Sequence, residues 1–219
     1  MVTVAQRSLA DQAYDAIEDM ITSQQITSAT LVSEASLMEA TGLGRTPVRE
    51  ALQRLARDRV VQIHPNRGVF VPEITVESQL RLLEIRRPLE ALAVELACVR
   101  AKKAERDAMG KMLAYLQAAE FTLEGYADSV KQTHQLISKA THNEFLVDAM
   151  TPLQALSRRF WLVNIDDEQD EIAAGARAHA EILTSIIERD AVRAVAASFA
   201  LTDYLVRHAH RTVGIPQSA

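Results

Sequence analysis

Beyond Pro72 the chain offers very little that would stop a helix. Four glycines (Gly110, Gly125, Gly175, Gly214) and three prolines (Pro88, Pro152, Pro216) are all that punctuate the rest of the sequence. A turn-rich β fold needs such residues at close spacing. Leu82, Ile85, Leu89, Leu92 and Leu96 alternate steps of three and four, the spacing of one helix face, and predict a helix with that stripe as its apolar seam. Further helices are predicted over about 104–119, 127–141, 144–164, 169–189 and 190–212. Asn143 suits a helix end, Gly125 a connection, and Pro152 should kink or restart its helix. Residues 215–219 read as a frayed tail. Residues 75–219 are therefore expected to form an all-α antiparallel bundle of about six helices.

Residues 1–74 have another texture. Ala13, Ile17 and Ile21 recur every four along an amphipathic helix from Leu9 to about Ser23. Ser33 can cap a short second helix to Ala40, and Thr41-Gly42-Leu43-Gly44 makes a tight connection. The third helix, RTPVREALQRLARDR, tolerates Pro47 in its first turn. It turns Val48, Leu52 and Leu55 inward and leaves Arg45, Arg49 and Arg54 to face out. Two short apolar runs, Val60–Ile63 and Val69–Val71, flank His64-Pro65-Asn66-Arg67-Gly68 as a β-hairpin. Helix, helix, turn, helix, hairpin is the order of a winged helix-turn-helix, with the third helix as reader and the hairpin as wing. The fold class is thus mainly α, with a small β-hairpin wing.

The net charge of the 219 residues is −5, which by itself argues against a nucleic-acid partner. Between residues 44 and 71, however, Arg45, Arg49, Arg54, Arg57, Arg59 and Arg67 face only Glu50 and Asp58, so six positive charges against two leave +4. A local basic patch on an acidic chain can meet a phosphate backbone. Arg45 and Arg49, four apart at the start of the third helix, share one face. Arginine donates two parallel hydrogen bonds to the O6 and N7 of guanine. Thr46 and the helix start offer donors to phosphate, and Arg67 at the hairpin tip can reach a minor groove. The lone Cys98 excludes an internal disulfide framework. No apolar run approaches the length of a membrane span, and no signal segment stands at the N-terminus, so a soluble cytoplasmic protein is expected. There is no nucleophile elbow, P-loop or GxGxxG. The acidic run Asp166–Glu171 reads as a solvated helix start. An all-α enzyme carrying a DNA-binding appendage is the alternative from another class.

At GLGRTPVREALQRLARDRVVQIHPNRGVFV the sequence closely resembles the GntR family of bacterial transcription regulators, from about Leu9 to Val71. The resemblance implies a dimer that binds a palindromic double-stranded operator, with DNA contacts on Arg45, Thr46, Arg49, Arg67 and Gly68. The chain departs from the family where Gly44 replaces a Ser or Thr, where Ala35 replaces a basic residue, and where Thr27-Ser28-Ala29-Thr30 replaces Pro-Gly. The second domain resembles the FCD effector-binding domain of the FadR-like branch. That likeness rests on Glu84–Glu90, His134 with Asn143, and His179 followed by Ile182, Ile186, Asp190 and Ala194. It implies dimerisation and a small-molecule effector, here expected to be acidic and bound by Arg86, His134 and His179. Many such domains hold a divalent metal through an Asp and three His. Two of those positions are His134 and His179, but the others are Val130 and Leu201, which cannot ligate. No metal or other cofactor is therefore expected, with a His134–His179 site completed by waters or effector as the alternative, along with substitution by Asp128, Asp203 or His208. Arg86 can instead pair with Glu90. Trp161 and Phe160 are candidates for the pocket floor, and Arg207, His208, His210 and Arg211 for a basic helix end. The histidines are expected to tune effector affinity between about pH 5 and 8.

Overall fold

The computed structural model describes residues 8–213, in two units that meet in sequence between Ile74 and Thr75. The first unit opens with α1 (Leu9–Thr22), whose N-terminus is closed by a reciprocal cap: Ser8 Oγ accepts from the Asp11 amide, and the Asp11 carboxylate accepts from the Ser8 amide. A short strand β1 (Thr30–Val32) leads into α2 (Glu34–Thr41) and α3 (Arg45–Arg57). Ser33 caps α2 as expected, and Gly42 ends it in the left-handed conformation that glycine tolerates best. Ile17 and Ile21 of α1, Leu37 of α2, and Val48, Leu52 and Leu55 of α3 are almost fully buried and fuse the three helices into one small core.

The hairpin is present as β2 (Gln62–His64) and β3 (Gly68–Val71), but it does not stand alone. β1 pairs with the other edge of β3, Leu31 opposite Phe70, giving a three-stranded antiparallel sheet in the order β1-β3-β2. The third strand covers an edge that would leave a row of unpaired backbone groups. Val60 and Val61, read as the start of the wing, are instead a buried connection out of α3.

The second unit holds six helices among the described residues: α4 (Val76–Arg100), α5 (Lys103–Ala118), α6 (Leu123–Ala140), α7 (Glu144–Val163), α8 (Glu168–Glu188) and α9 (Ala191–Arg211). Thr75, Thr122, Asn143, Asp167 and Asp190 each cap a helix with a side-chain oxygen. Three details differ from the sequence reading. Gly125 lies in the first turn of α6, where its amide donates to the Thr122 cap, and not in a connection. α7 runs unbroken through Pro152. The seam of α4 is also displaced: Ile85 and Leu92 are 57% and 42% exposed, while Leu83, Arg86, Glu90, Ala93, Val94 and Ala97 are buried. The segment 215–219, read as frayed, lies outside the described residues.

Candidate functional site

The first unit presents a basic face built on the start of α3. Gly44 supplies extended backbone there and no side-chain cap, so the first-turn amides are open to an outside acceptor. Arg45 and Thr46 are exposed on that turn. Arg49 is exposed too, and its Nε donates to Glu34 Oε2 of α2 at 2.8 Å. That contact sets the guanidinium direction before any ligand arrives. Arg54 behaves otherwise. It is half-buried, donates to Asp11 at 2.6 Å, and lies 4.7 Å over the Tyr14 ring, while the Tyr14 hydroxyl donates to Asp58 at 2.7 Å. Arg54 thus ties α3 to α1 at the edge of the core, its side chain 41% exposed. Arg67 is exposed at the hairpin tip. Gly68 follows at φ +115°, and a Cβ there would lie 2.5 Å from the Val32 carbonyl oxygen. The position demands glycine because β1 packs against it.

In the second unit, polar groups converge in the interior. Arg86 and Glu90 on α4 are both buried and paired, Nε to Oε1 at 2.7 Å. Gln154 Nε2 on α7 donates to the same oxygen at 3.2 Å. Arg86 Nη2 reaches His134 Nε2 on α6 at 3.3 Å, and His134 Nε2 faces His179 Nε2 on α8 at 3.4 Å. Arginine nitrogens only donate, so His134 offers Nε2 as an acceptor and carries its proton on Nδ1. His179 Nδ1 donates to the Gly175 carbonyl at 2.8 Å, so its Nε2 is also a bare lone pair. Arg86, His134 and His179, with Tyr126, Arg158, Trp161 and Tyr204, line a cavity of ≈ 40 Å³, room for about two or three water molecules. Val130, Leu201 and Leu205 form its apolar wall. Tyr126 sits so close over α8 that a Cβ at Gly175 would meet its hydroxyl at 2.1 Å. A broader open groove of ≈ 870 Å³ runs beside α8, lined by Leu116, Phe121, Ile172 and Ala176. Its polar side chains are exposed or half-exposed, so the smaller cavity, with buried Arg86, His134 and His179 in its wall, is the better-built site.

Burial, reinforced by the Arg86 charge, holds His134 well below the ordinary histidine value of 6.5, and burial lowers His179 as well. Both are thereby held toward the neutral form, against the titration that the sequence reading expected of them. The residues do not fit the metal site of the FCD resemblance. Val130 and Leu201 stand in the cavity wall as hydrocarbon, Asp128 is exposed, and Asp203 pairs with Arg87. Among the described residues, no three of His, Cys, Asp and Glu gather at one point.

The last turn of α9 carries the basic residues expected there, with Arg207 and Arg211 exposed, but one histidine among them is buried. His208 is 2% exposed and kept below its usual range by burial. Glu171 accepts from Tyr204 and Arg211, and Trp161 Nε1 donates to the Tyr204 hydroxyl at 2.8 Å. Glu171 is therefore half-buried and bonded, unlike the solvated acidic run read from sequence. Trp161 lines the cavity, whereas Phe160 packs edge-on against His208. The Arg86–Glu90 pair offered as the alternative for Arg86 is present, while Tyr126, Gln154 and Arg158 were missed. One signal was available: Tyr126, Val130 and His134 recur every four on α6, so the tyrosine shares the histidine's face.

The model of the gntR family of bacterial regulatory proteins matches residues 9–71, and that of the FCD domain matches residues 81–203. The HTH-type transcriptional regulator YdhC of Bacillus subtilis is 26% identical over 138 residues, and the match spans 62% of each chain. The Nta operon transcriptional regulator of Aminobacter aminovorans is 28% identical over 167 residues, covering 68% of this chain and 80% of that one. Among solved structures, E. coli McbR/YncC superposes with a TM-score of 0.81 at 18% identity, over 95% of this chain and all of the other; the likeness is one of fold. The chain belongs to the GntR family of bacterial transcriptional regulators, with the family's helix-turn-helix at residues 9–71 and an FCD effector-binding domain behind it.

Proposed function

We propose that two copies of this chain bind a palindromic operator through Arg45, Thr46 and Arg49 of α3 and through Arg67 and Gly68 of the wing. A small organic acid in the cavity of the second unit modulates that binding, most simply by releasing a repressor. The observation that carries the reading is the uncapped start of α3, with Arg45, Thr46 and Arg49 exposed together. Open amides and Thr46 suit phosphate, and the two arginines suit guanine edges. A single small reading head makes few specific contacts, and a two-fold pair doubles them. The outer face of α4 supports pairing. Ile85, Leu92 and Val99, seven residues apart, are 57%, 42% and 72% exposed, and an apolar stripe of that kind is commonly covered by a partner.

The effector reading rests on Arg86, His134 and His179 around one cavity. Glu90 takes the Nε edge of Arg86, and the positive charge of Arg86 at the cavity wall suits a carboxylate. No described helix is long and apolar enough to cross a membrane, in keeping with action on DNA in the cytoplasm. The test is titration of the protein against the DNA upstream of its own coding sequence, at physiological salt, followed by a screen of organic acids for release. Saturable binding by two chains per site, reversed by an acid, is the expected result. Affinity no greater than for unrelated DNA at every upstream site would overturn the proposal.

A further inference from the structure

α3 exposes more than the three residues at its start. Val48, Ala51, Leu52 and Leu55 are its buried side chains, while Arg45, Thr46, Arg49, Glu50, Gln53 and Arg57 are exposed. At about 100° per residue, the line opposite the buried four passes within about 10° of Thr46 and Arg57 and about 30° of Gln53. It lies about 70° from Arg49 and about 110° from Arg45. The two arginines therefore flank the outermost line, on the side where Arg49 meets Glu34 of α2, and Gln53 stands nearer to it. A flanking position needs a long side chain to reach a base in front of the helix; a position near the line does not. Arg45, Arg49, Gln53 and Arg57 form one row, every fourth residue. The side-chain amide of Gln53 has no partner among the described residues. Arg45 to Gln53 spans about 12 Å along the helix axis, and a major groove is about 12 Å wide, so a helix seated there keeps the row over base edges. Arg57 is about 6 Å further on, where the groove gives way to phosphate.

We infer that Gln53 is a third base reader, specifying an adenine one or two base pairs from the pair that Arg49 reads, and that Arg57 meets a phosphate beyond it. The side chain's chemistry names the base. A glutamine amide presents a donor and an acceptor side by side. In the major groove adenine alone shows the complement, with N7 to accept and the N6 amino group to donate, whereas guanine shows two acceptors. The spacing names the distance. Four residues of helix advance about 6 Å, and base pairs are stacked about 3.4 Å apart. Glu50, also near the outermost line, brings a carboxylate that the flanking phosphates repel, and Gln53 brings no charge. Gln53 has this role only if α3 is the reading helix, and the test separates the two claims.

Full-length wild type, Gln53→Ala and Arg57→Ala would each be used to select binders from a pool of randomised duplexes. The wild type should enrich a motif that holds an adenine column within two base pairs of a guanine column. It should prefer that adenine over any other base by about tenfold. Gln53→Ala should keep the motif and lose that one column, the preference falling below about twofold. The exposed position and the helix propensity of alanine leave the fold intact. Arg57→Ala should enrich the wild-type motif, bind every sequence more weakly, and flatten the dependence of log affinity on log salt by about one per chain. A wild-type motif without such an adenine column, or one that Gln53→Ala keeps whole, overturns the third reader and leaves α3 as the reading helix. Enrichment of no motif by the wild type overturns both. An unchanged salt slope in Arg57→Ala overturns its placement on the phosphate.

Discussion

Arg49 and Arg54 stand five residues apart on one helix and do different work. Five residues turn a helix by about 500°, so the two lie roughly 140° apart around its axis, whereas Arg45 and Arg49 are only about 40° apart. That geometry was readable in the sequence; what was not readable was that Asp11 and Tyr14 would wait for Arg54 on α1. Glu34 is the counterpart on the exposed side. Removing it should strengthen binding to random DNA, because a carboxylate leaves the basic face. The specific-to-random ratio should fall, because Arg49 loses the contact that aims it. Titrating Glu34→Ala against operator and scrambled duplexes measures both, and an unchanged ratio would remove Glu34 from the reading. Gly68 looked like room for a nearby DNA backbone, yet its positive φ and the Val32 carbonyl give it a reason within the fold. Gly68→Ala should destabilise the first unit by about 1–3 kcal/mol, seen in urea unfolding of the unit's own circular dichroism. A variant as stable as wild type would mean that β1 can move aside.

At the scale of elements, the sequence carried most of the fold because capping and periodicity are local. Every long helix was legible, with ends displaced by a few residues. β1 was not, since Thr30-Leu31-Val32 is too short for any alternation to show and owes its existence to the edge of β3. α4 was legible as a helix but not as to its inner side. It is apolar on two stripes, and the leucine-rich one is the less buried because Arg86 and Glu90 neutralise each other on the inner one. An ion pair four residues apart is recognisable in sequence, but its burial depends on Gln154 and His134 from other helices. The outer stripe then carries its own prediction. Ile85→Glu with Leu92→Glu should leave the fold intact, because both positions are exposed. Analytical ultracentrifugation should show monomers in place of the dimer proposed for the wild type, and operator affinity should fall roughly 100-fold or more as avidity is lost. A double variant that still sediments as a dimer would move the interface elsewhere.

At the scale of the whole molecule, two units with separate cores divide the work: one exposes arginines, the other hides them. Hidden charge and hidden histidines leave a thermodynamic trace. The folded protein keeps His134 and His179 neutral at pH values where the unfolded chain protonates them. Below about pH 6.5 the unfolded state therefore binds more protons, and stability is full above that value and lost as pH falls. Each histidine contributes a slope of about 1.4 kcal/mol per pH unit. Trp161, the only tryptophan, sits in the second unit and reports its unfolding by fluorescence. His134→Gln should flatten the pH 5–7 dependence by one such share, and an undiminished slope would contradict a neutral buried His134. The central claim, that the uncapped start of α3 reads DNA, is tested most directly by binding isotherms of Arg45→Ala and Arg49→Ala on the operator and on each of its single-base-pair variants. Each substitution should cost about 1–3 kcal/mol of specific binding and erase the preference at one base pair per half-site, with folding unchanged. Wild-type affinity and wild-type sequence preference in either variant would contradict it.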